Sequence, residues 1–563
     1  MSTPKSDKVV FKTYQQHQPT FLPQSLEERV APGHVVRVVN EAIERMNIDP
    51  ILAGYKGGGT SAYHPRMLLK VLVYAYMERI YSSRRIAKAL REQIPFMWLA
   101  GGNTPDFRTI NRFRSSRLKG TIEEVFASLV ELCLEKGLVN EEEVFIDGTK
   151  FEANANKYTY VWKKSNERNK EQRKAKIRAE LAIIDRIVEE ENRRYGDRDL
   201  EELGEDSELT SADVEAAVEK LDRIVGELNE EDSDEERKEK RQARKVLKQV
   251  KEKDLPKLKQ YEEQEKKLDG RNSYSRTDPD ATFMVMKEDP MQGGELKPGY
   301  NGQLVTSNQV ILAFGAHQSA GDSPLLMEHL EKVEAMLGTR PKVVVADAGY
   351  GSHENYATLE EKGIEAYVKY NTFEQERKPS YKKKLYEVAN WPYDAQRDAF
   401  ICPEGRVLQY RGDGERTSIN GFLSKHKIYE VQSCAGCSVR ELCMPRGGKN
   451  KRVEICEELV RLRGQAFDRL ESVVGKRLRA QRSCDVESVF GHIKGNRGFR
   501  RFFLRGLENV TVELGLLSMA HNVLKLAAAG VFGPILTIWR LHKRLWAHIT
   551  APQPILRPIR LAA

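Results

Sequence analysis

Apolar positions along this chain change period several times, and each change marks an element. From His64 the pattern is helical: Met67, Leu68, Val71, Leu72, Ala75 and Tyr76 fall on one stripe. Ser82 reads as the N-cap of a helix carrying Ile86, Ala89 and Leu90. A third helix opens at Thr104-Pro105-Asp106 with Phe107, Ile110 and Phe113, and a fourth covers residues 122–136. Residues 1–60 are poorly periodic and close on Gly57, Gly58 and Gly59. Short β-branched runs come next. One strand, residues 144–146, ends in Asp147-Gly148, with residues 151–153 as its hairpin partner; another, residues 343–346, ends in Asp347-Ala348-Gly349. Further strands are predicted at 305–314 and 366–369, and helices at 324–337 and 354–362. Strands separated by helices predict an α/β domain with a mixed sheet.

Residues 163–270 break this order. Charged residues dominate, with sparse apolar positions such as Ile177, Leu181 and Ile184. The spacing predicts an inserted coiled-coil arm, a helical hairpin split around 196–211, whose mixed charges pair at i,i+4. It serves subunit or DNA-end contact, or is a passive solvated insertion. A later helix is predicted at about 475–494, with Glu487 and Lys494 two turns apart on one face and Arg482 five residues before the Glu.

Charge sharpens the picture. The net charge is +9, and residues 446–505 hold 16 Lys or Arg against 7 Asp or Glu, so this block carries the whole excess. Aromatics interleave it: Phe499, Arg500, Arg501, Phe502, Phe503. That density points to a polyanion, most simply DNA or RNA. Arg84, Arg85, Arg108, Arg112 and Arg114 give the N-terminal helices a basic face, read either as a helix-turn-helix-like DNA module or as a solvated bundle. Mean hydropathy is −0.58. The longest apolar run, residues 526–539, is too short and too broken by Gly and Pro for a membrane span, and the polar start lacks a secretory signal.

The chain has seven cysteines, an odd number, and all but Cys133 lie late, which suits a reducing compartment and a metal site better than a disulfide framework. Cys434 and Cys437 form a CxxC pair, with Cys443 six positions on and Cys402 before them. Four thiolates suit tetrahedral structural zinc, favoured here over free thiols. Carboxylates at strand ends are where α/β sheets place chemistry, although an Asp at such a junction also serves as a helix cap.

Asp147 in VFIDGTKFEANA, Asp347 in VVVADAGYGS and Glu487 in RSCDVESVFGHIKGNRGFRRF together resemble the DDE transposases of bacterial insertion sequences. The helices of residues 64–117, with SSRRI and PDFRTINRFR, resemble the N-terminal domain of the same proteins, and the likeness covers most of residues 60–526. One departure stands out. Where many relatives carry Y-x2-R-x3-E-x6-K, this chain has Ala480 at the Tyr position and Ser483 at the Arg position, so Arg482 supplies the cation one residue early.

The resemblance implies a ribonuclease H-like mixed sheet, with an N-terminal all-helical domain, the charged coiled-coil insertion and a small cysteine-rich, zinc ribbon-like insertion. It divides the chain into an extension (1–60), a helical DNA-binding domain (61–138), catalytic segments (139–162, 273–384 and 457–530) around the charged (163–272) and cysteine-rich (385–456) insertions, and a basic tail (531–563). It implies two Mg²⁺ ions, or Mn²⁺, held by Asp147, Asp347 and Glu487. Asp147 would bridge them, and Lys494 and Arg482 would contact phosphates. Arg497, Arg500 and Arg501 would join the N-terminal arginines on DNA. The implied partner is double-stranded DNA, element ends and target, bound by a dimer or larger assembly near the bacterial nucleoid, in the cytoplasm. The implied activity is cleavage and strand transfer. A metal-dependent nuclease without strand transfer, or a non-catalytic DNA-binding derivative, are the alternatives.

Overall fold

A computed structural model of the chain describes residues 25–55, 62–195, 209–226, 234–286, 294–382, 384–418 and 420–531. The expected basic tail (bar its first residue), the first 24 residues and the split of the charged arm at 196–208 lie outside these.

The central sheet has six strands: β1 (Glu143–Glu152), β2 (Thr282–Met286), β3 (Glu295–Ser307), β4 (Val310–His317), β5 (Val343–Ala346) and β6 (Glu365–Val368). β1 lies between β3, antiparallel, and β5, parallel. Beyond β3, β2 and β4 pair with its first and second halves, both antiparallel; beyond β5, β6 is parallel. A mixed sheet flanked by helices therefore stands. Two strand readings change. Residues 151–153 do not turn back on 144–146, because β1 runs on through Phe151 and finds its partner in β3. Residues 305–314 are not one strand: Asn308 and Gln309 have φ of 51° and 64°, a two-residue hairpin that joins β3 to β4.

The N-terminal helices are part of this core. Helix Pro65–Met77 is buried along nearly its whole length and packs on helix Leu507–Ala529, which also covers β4 and helix Ile122–Glu135. The close approach needs Gly515, where a Cβ would sit 2.5 Å from Ile122 and 2.8 Å from Phe314. Residues 25–55 contribute too: helix Val35–Arg45 buries Val36, Val39, Ala42 and Ile43 in the same core.

The charged insertion is a helical bundle rather than a two-stranded coil. Helices Lys163–Tyr195, Ser211–Gly226, Asp234–Gln249 and Leu255–Leu268 enclose a separate core of Ile177, Leu181, Val214, Val218, Leu247 and Leu258. The cysteine-rich insertion is a five-stranded antiparallel meander, Tyr393–Asp394 to Arg452–Ile455, with a small core around Trp391, Leu408 and Tyr429.

Candidate active site

Register brings the two aspartates together. β1 and β5 run parallel with Phe145 opposite Val345, and each Asp lies two residues beyond its partner in that pair. Equal offsets along parallel strands set the two carboxylates side by side at the same edge and on the same face. Buried Val144, Phe145, Ile146, Val344, Val345 and Ala346 hold the strand ends. Asp147 accepts the Gly148 N–H at 2.9 Å, and Asp347 accepts the Gly349 N–H at 2.8 Å as the cap of a short 3₁₀ turn.

Glu487 arrives on helix Val473–Arg482 and its continuation. That continuation contains two widened π-turns, Ser483–Glu487 and His492–Asn496. Such turns insert a residue into the helical ladder and re-aim the side chains beyond it. Asp485, inside the first π-turn, pins it to the β3–β4 hairpin, accepting from Thr306 Oγ1 at 2.6 Å and the Gln309 N–H at 3.0 Å. Burial raises its carboxyl above the usual range.

Arg482 joins the three acidic groups. Its Nη2 lies 2.9 Å from Asp147 Oδ2 and 4.0 Å from Asp347 Oδ2, and its Nη1 lies 2.8 Å from Glu487 Oε1. The three sequence-predicted carboxylates thus converge on one guanidinium. Burial pushes the Asp147 carboxyl up to about 6; Arg482 pulls it down, and Asp347 and Glu487 add to the rise.

Lys494 is beside this site but committed to the sheet. Its Nζ donates to Thr149 Oγ1 at 2.6 Å and to the Lys150 carbonyl at 2.8 Å, and it lies over the Phe151 ring. A fourth carboxylate, Asp322, escapes the sequence reading. Its Oδ1 accepts from Asn301 at 2.6 Å and Gln303 at 2.8 Å, beside Gly148, where a Cβ would meet Gln303 at 2.0 Å. Only the tertiary fold assembles this group, and no local pattern in the sequence announces it.

Two expected DNA contacts are corrected. Arg114 is buried, donating to the Tyr81 carbonyl at 2.7 Å and the Tyr76 hydroxyl at 3.1 Å, with Glu513 3.5 Å away. Arg497 is buried against carbonyls of helix Leu507–Ala529, and burial lowers it to about 10. Both are structural cations, because the basic runs that carry them turn these two side chains inward. Arg84, Arg85, Arg108, Arg112, Arg500 and Arg501 are exposed.

Cys402, Cys434, Cys437 and Cys443 line one small cavity. The N–H groups of Arg406 and Lys451 donate to the sulfurs of Cys402 and Cys434 at 3.3 Å. Among the described residues, the group of three ligating side chains with all ligand atoms within 4.8 Å is a different one, His317, Glu328 and His329. There the two Nε2 atoms are 2.9 Å apart as a hydrogen-bonded pair, and His329 Nδ1 is buried without a partner.

No described helix is long and apolar enough to cross a membrane. Residues 24–116 match the family described as Transposase domain (DUF772), and residues 401–527 match the family described as Transposase DDE domain. The second match contains Arg482, Glu487 and Lys494; Asp147 and Asp347 lie outside both. No curated protein matches the chain. Matches to two transposase family models on one chain support a DDE-type transposase of the insertion-sequence kind.

Proposed function

We propose that the chain binds the terminal inverted repeats of its own mobile element and catalyses metal-dependent DNA cleavage and strand transfer at Asp147, Asp347 and Glu487. The observation that carries this is the convergence of three carboxylates from two strands and a helix on Arg482. Groups that gather around one fixed cation are also placed to gather around others, and oxygen-only donors suit Mg²⁺ or Mn²⁺. When bound, such ions would activate the attacking oxygen and stabilise the leaving one. Arg482 would hold the carboxylates together before loading and then turn to a phosphate. Lys494 would orient the β1 end beside Asp147. The ribonuclease H-like reading of the sheet is part of this proposal, supported by strand order β4–β3–β1–β5–β6 with three antiparallel strands followed by two parallel ones.

The experiment incubates full-length protein with duplexes carrying the repeats that flank its gene, with Mg²⁺ or EDTA, and a target plasmid. Cutting at the repeat tip and joining of the 3′ end to target are expected. Cutting without joining turns the reading to a nuclease; binding without cutting turns it to a DNA-binding derivative.

The raised Asp147 pKa gives a pH dependence. The folded protein holds this proton more tightly than the unfolded chain, whose value is near 3.8. This group's contribution to stability is therefore greatest below 3.8 and is lost as pH rises through about 6. Cation binding runs the other way, since the ion competes with the proton. Mn²⁺ affinity of the DNA-free protein is expected to fall about tenfold per pH unit below about 6. Affinity that stays flat from pH 7 to pH 5 would remove Asp147 from the ligand set.

We extend the proposal to structural zinc at Cys402, Cys434, Cys437 and Cys443. Supporting it are the shared cavity, the N–H donors on two sulfurs, and left-handed Gly405 and Gly436 beside the cysteines, with φ of 74° and 65°. One zinc per chain is expected by elemental analysis of purified protein. Its removal by chelator should lower the melting temperature, and protein with no zinc at full stability would sink the idea.

A further inference from the structure

Resting on the metal-site reading above, we propose that Asp322 is a fourth carboxylate of that site and shares a divalent cation with Asp347. Asp322 follows β4 and stands at the head of the turn Ser323–Leu325, which leads into helix Leu326–Leu337. An Asp in such a place ordinarily caps the helix. Here the side chain makes no cap bond and turns to the sheet instead. Its Oδ1 accepts from Asn301 Nδ2 at 2.6 Å, Gln303 Nε2 at 2.8 Å and Lys150 Nζ at 3.4 Å. Asn301 and Gln303 lie on β3 and are fully buried, so they fix the carboxylate in place. Gln303 Oε1 in turn accepts the hydroxyl of Tyr350, which sits in the turn that Asp347 caps. One network therefore holds Asp322 and the Asp347 turn together.

All three donors fall on one oxygen, and among the described residues none reaches Oδ2. Two glycines show where that second oxygen lies. A Cβ on Gly148, next to Asp147, would meet Asp322 Oδ1 at 2.9 Å. A Cβ on Gly349, two residues after Asp347, would meet Asp322 Oδ2 at 3.1 Å and Asp347 Oδ1 at 3.0 Å. The carboxylate thus lies between the two strand ends that carry the aspartates, and its Oδ2 flanks the same point as an oxygen of Asp347. A neutral acceptor would serve Asn301 and Gln303 as well; a second charged oxygen is what a hard cation uses. Asp347 faces both ways, with Oδ2 4.0 Å from Arg482 and Oδ1 toward Asp322. Among the described residues, the cations that ion-pair with Asp147, Asp347, Glu487 and Asp322 are Arg482 and Lys150. Carboxylates outnumber these partners, so the pocket draws positive charge.

The test titrates Mn²⁺ into DNA-free full-length protein, followed by the electron paramagnetic resonance signal of the free ion, for wild type, Asp322→Asn and Asp347→Asn. The amide keeps an acceptor for Asn301 and Gln303 and removes the charged second oxygen, so the melting temperature in EDTA should hold. Mn²⁺ affinity of Asp322→Asn should fall more than about tenfold, since losing an outer-shell partner already costs about 10–100-fold. On wild type, a carbodiimide with an amine label, read by peptide mass spectrometry, should modify the partly exposed Asp322 in EDTA and spare it with Mn²⁺. Asp322→Asn that binds Mn²⁺ as wild type does, while Asp347→Asn does not, overturns the proposal and leaves the three-carboxylate reading standing. Should Asp322→Asn melt well below wild type, the labelling decides: equal modification with and without Mn²⁺ overturns the proposal. Wild-type protein that binds no Mn²⁺ overturns the metal-site reading itself, and this proposal with it.

Discussion

Asp147→Asn, Asp347→Asn and Glu487→Gln are each expected to abolish metal-dependent cleavage while DNA binding in EDTA persists. Each substitution keeps size and shape and removes one negative charge from a group of three. Losing one anionic oxygen ligand costs the charge stabilisation that a metal site supplies, about 4 kcal/mol or more. That is about a thousandfold or more in rate. The fold should not suffer. Three carboxylates share one guanidinium, Arg482, so the cluster carries excess negative charge, and Asp147 is forced up to about 6 by burial. Removing one charge relieves that repulsion, and the melting temperature should hold or rise. Single-turnover cleavage of the end duplex, with melting curves on the same preparations, checks both halves. A substituted protein that still cuts at about a tenth of the wild-type rate, far above the loss expected for a missing ligand, would take its residue out of the site. Loss of cutting with a large drop in melting temperature would mean that the residue serves the fold.

The second large effect concerns stability. Glu513→Ala should destabilise the protein by about 3–5 kcal/mol, because it leaves buried Arg114 without its countercharge. It also orphans the Tyr76 hydroxyl and the N–H groups of Phe503 and Leu504. Burial raises the Glu513 carboxyl above its usual range; Arg114, the two backbone N–H groups and Tyr76 pull it back toward the charged form. Arg114→Met should cost a similar amount. The double variant Arg114→Met/Glu513→Ala should cost clearly less than the two single changes together, since it removes both charges at once. Thermal and denaturant unfolding of the four proteins closes the cycle. Additive losses would show that Arg114 and Glu513 do not act on each other.

Much of the site could be read from local pattern. The β-branched runs before Asp147 and Asp347 mark buried strands wherever they occur, and the carboxylate after each is visible by position alone. Glu487 is singled out by the resemblance of its run to the transposase family, not by its spacing to Lys494 alone. The errors share one cause. Arg114 and Arg497 sit in runs as basic as those around Arg108 and Arg500, and nothing local distinguishes a guanidinium that packs under Tyr76 and Tyr81 from one that faces water. Residues 305–314 look like one continuous strand because Asn308 and Gln309 take the left-handed turn without a glycine. Residues 25–55 look aperiodic, yet Val36, Val39, Ala42 and Ile43 bury a full helical face.

Composition and order along the chain determined the element types, the basic block, the thiol cluster and the three acidic residues, because these depend on side-chain chemistry and near neighbours. The tertiary structure alone decided three things. Parallel register set Asp147 and Asp347 level. The π-turned helix, pinned by Asp485, brought Glu487 and Arg482 to them from a distant part of the chain. Glu513 joined the N-terminal helices to the Phe503–Leu504 segment and helix Leu507–Ala529 in one core. Each of these rests on a contact between residues far apart in sequence. Its energy comes from burial and charge pairing, which exist only once the chain has closed on itself.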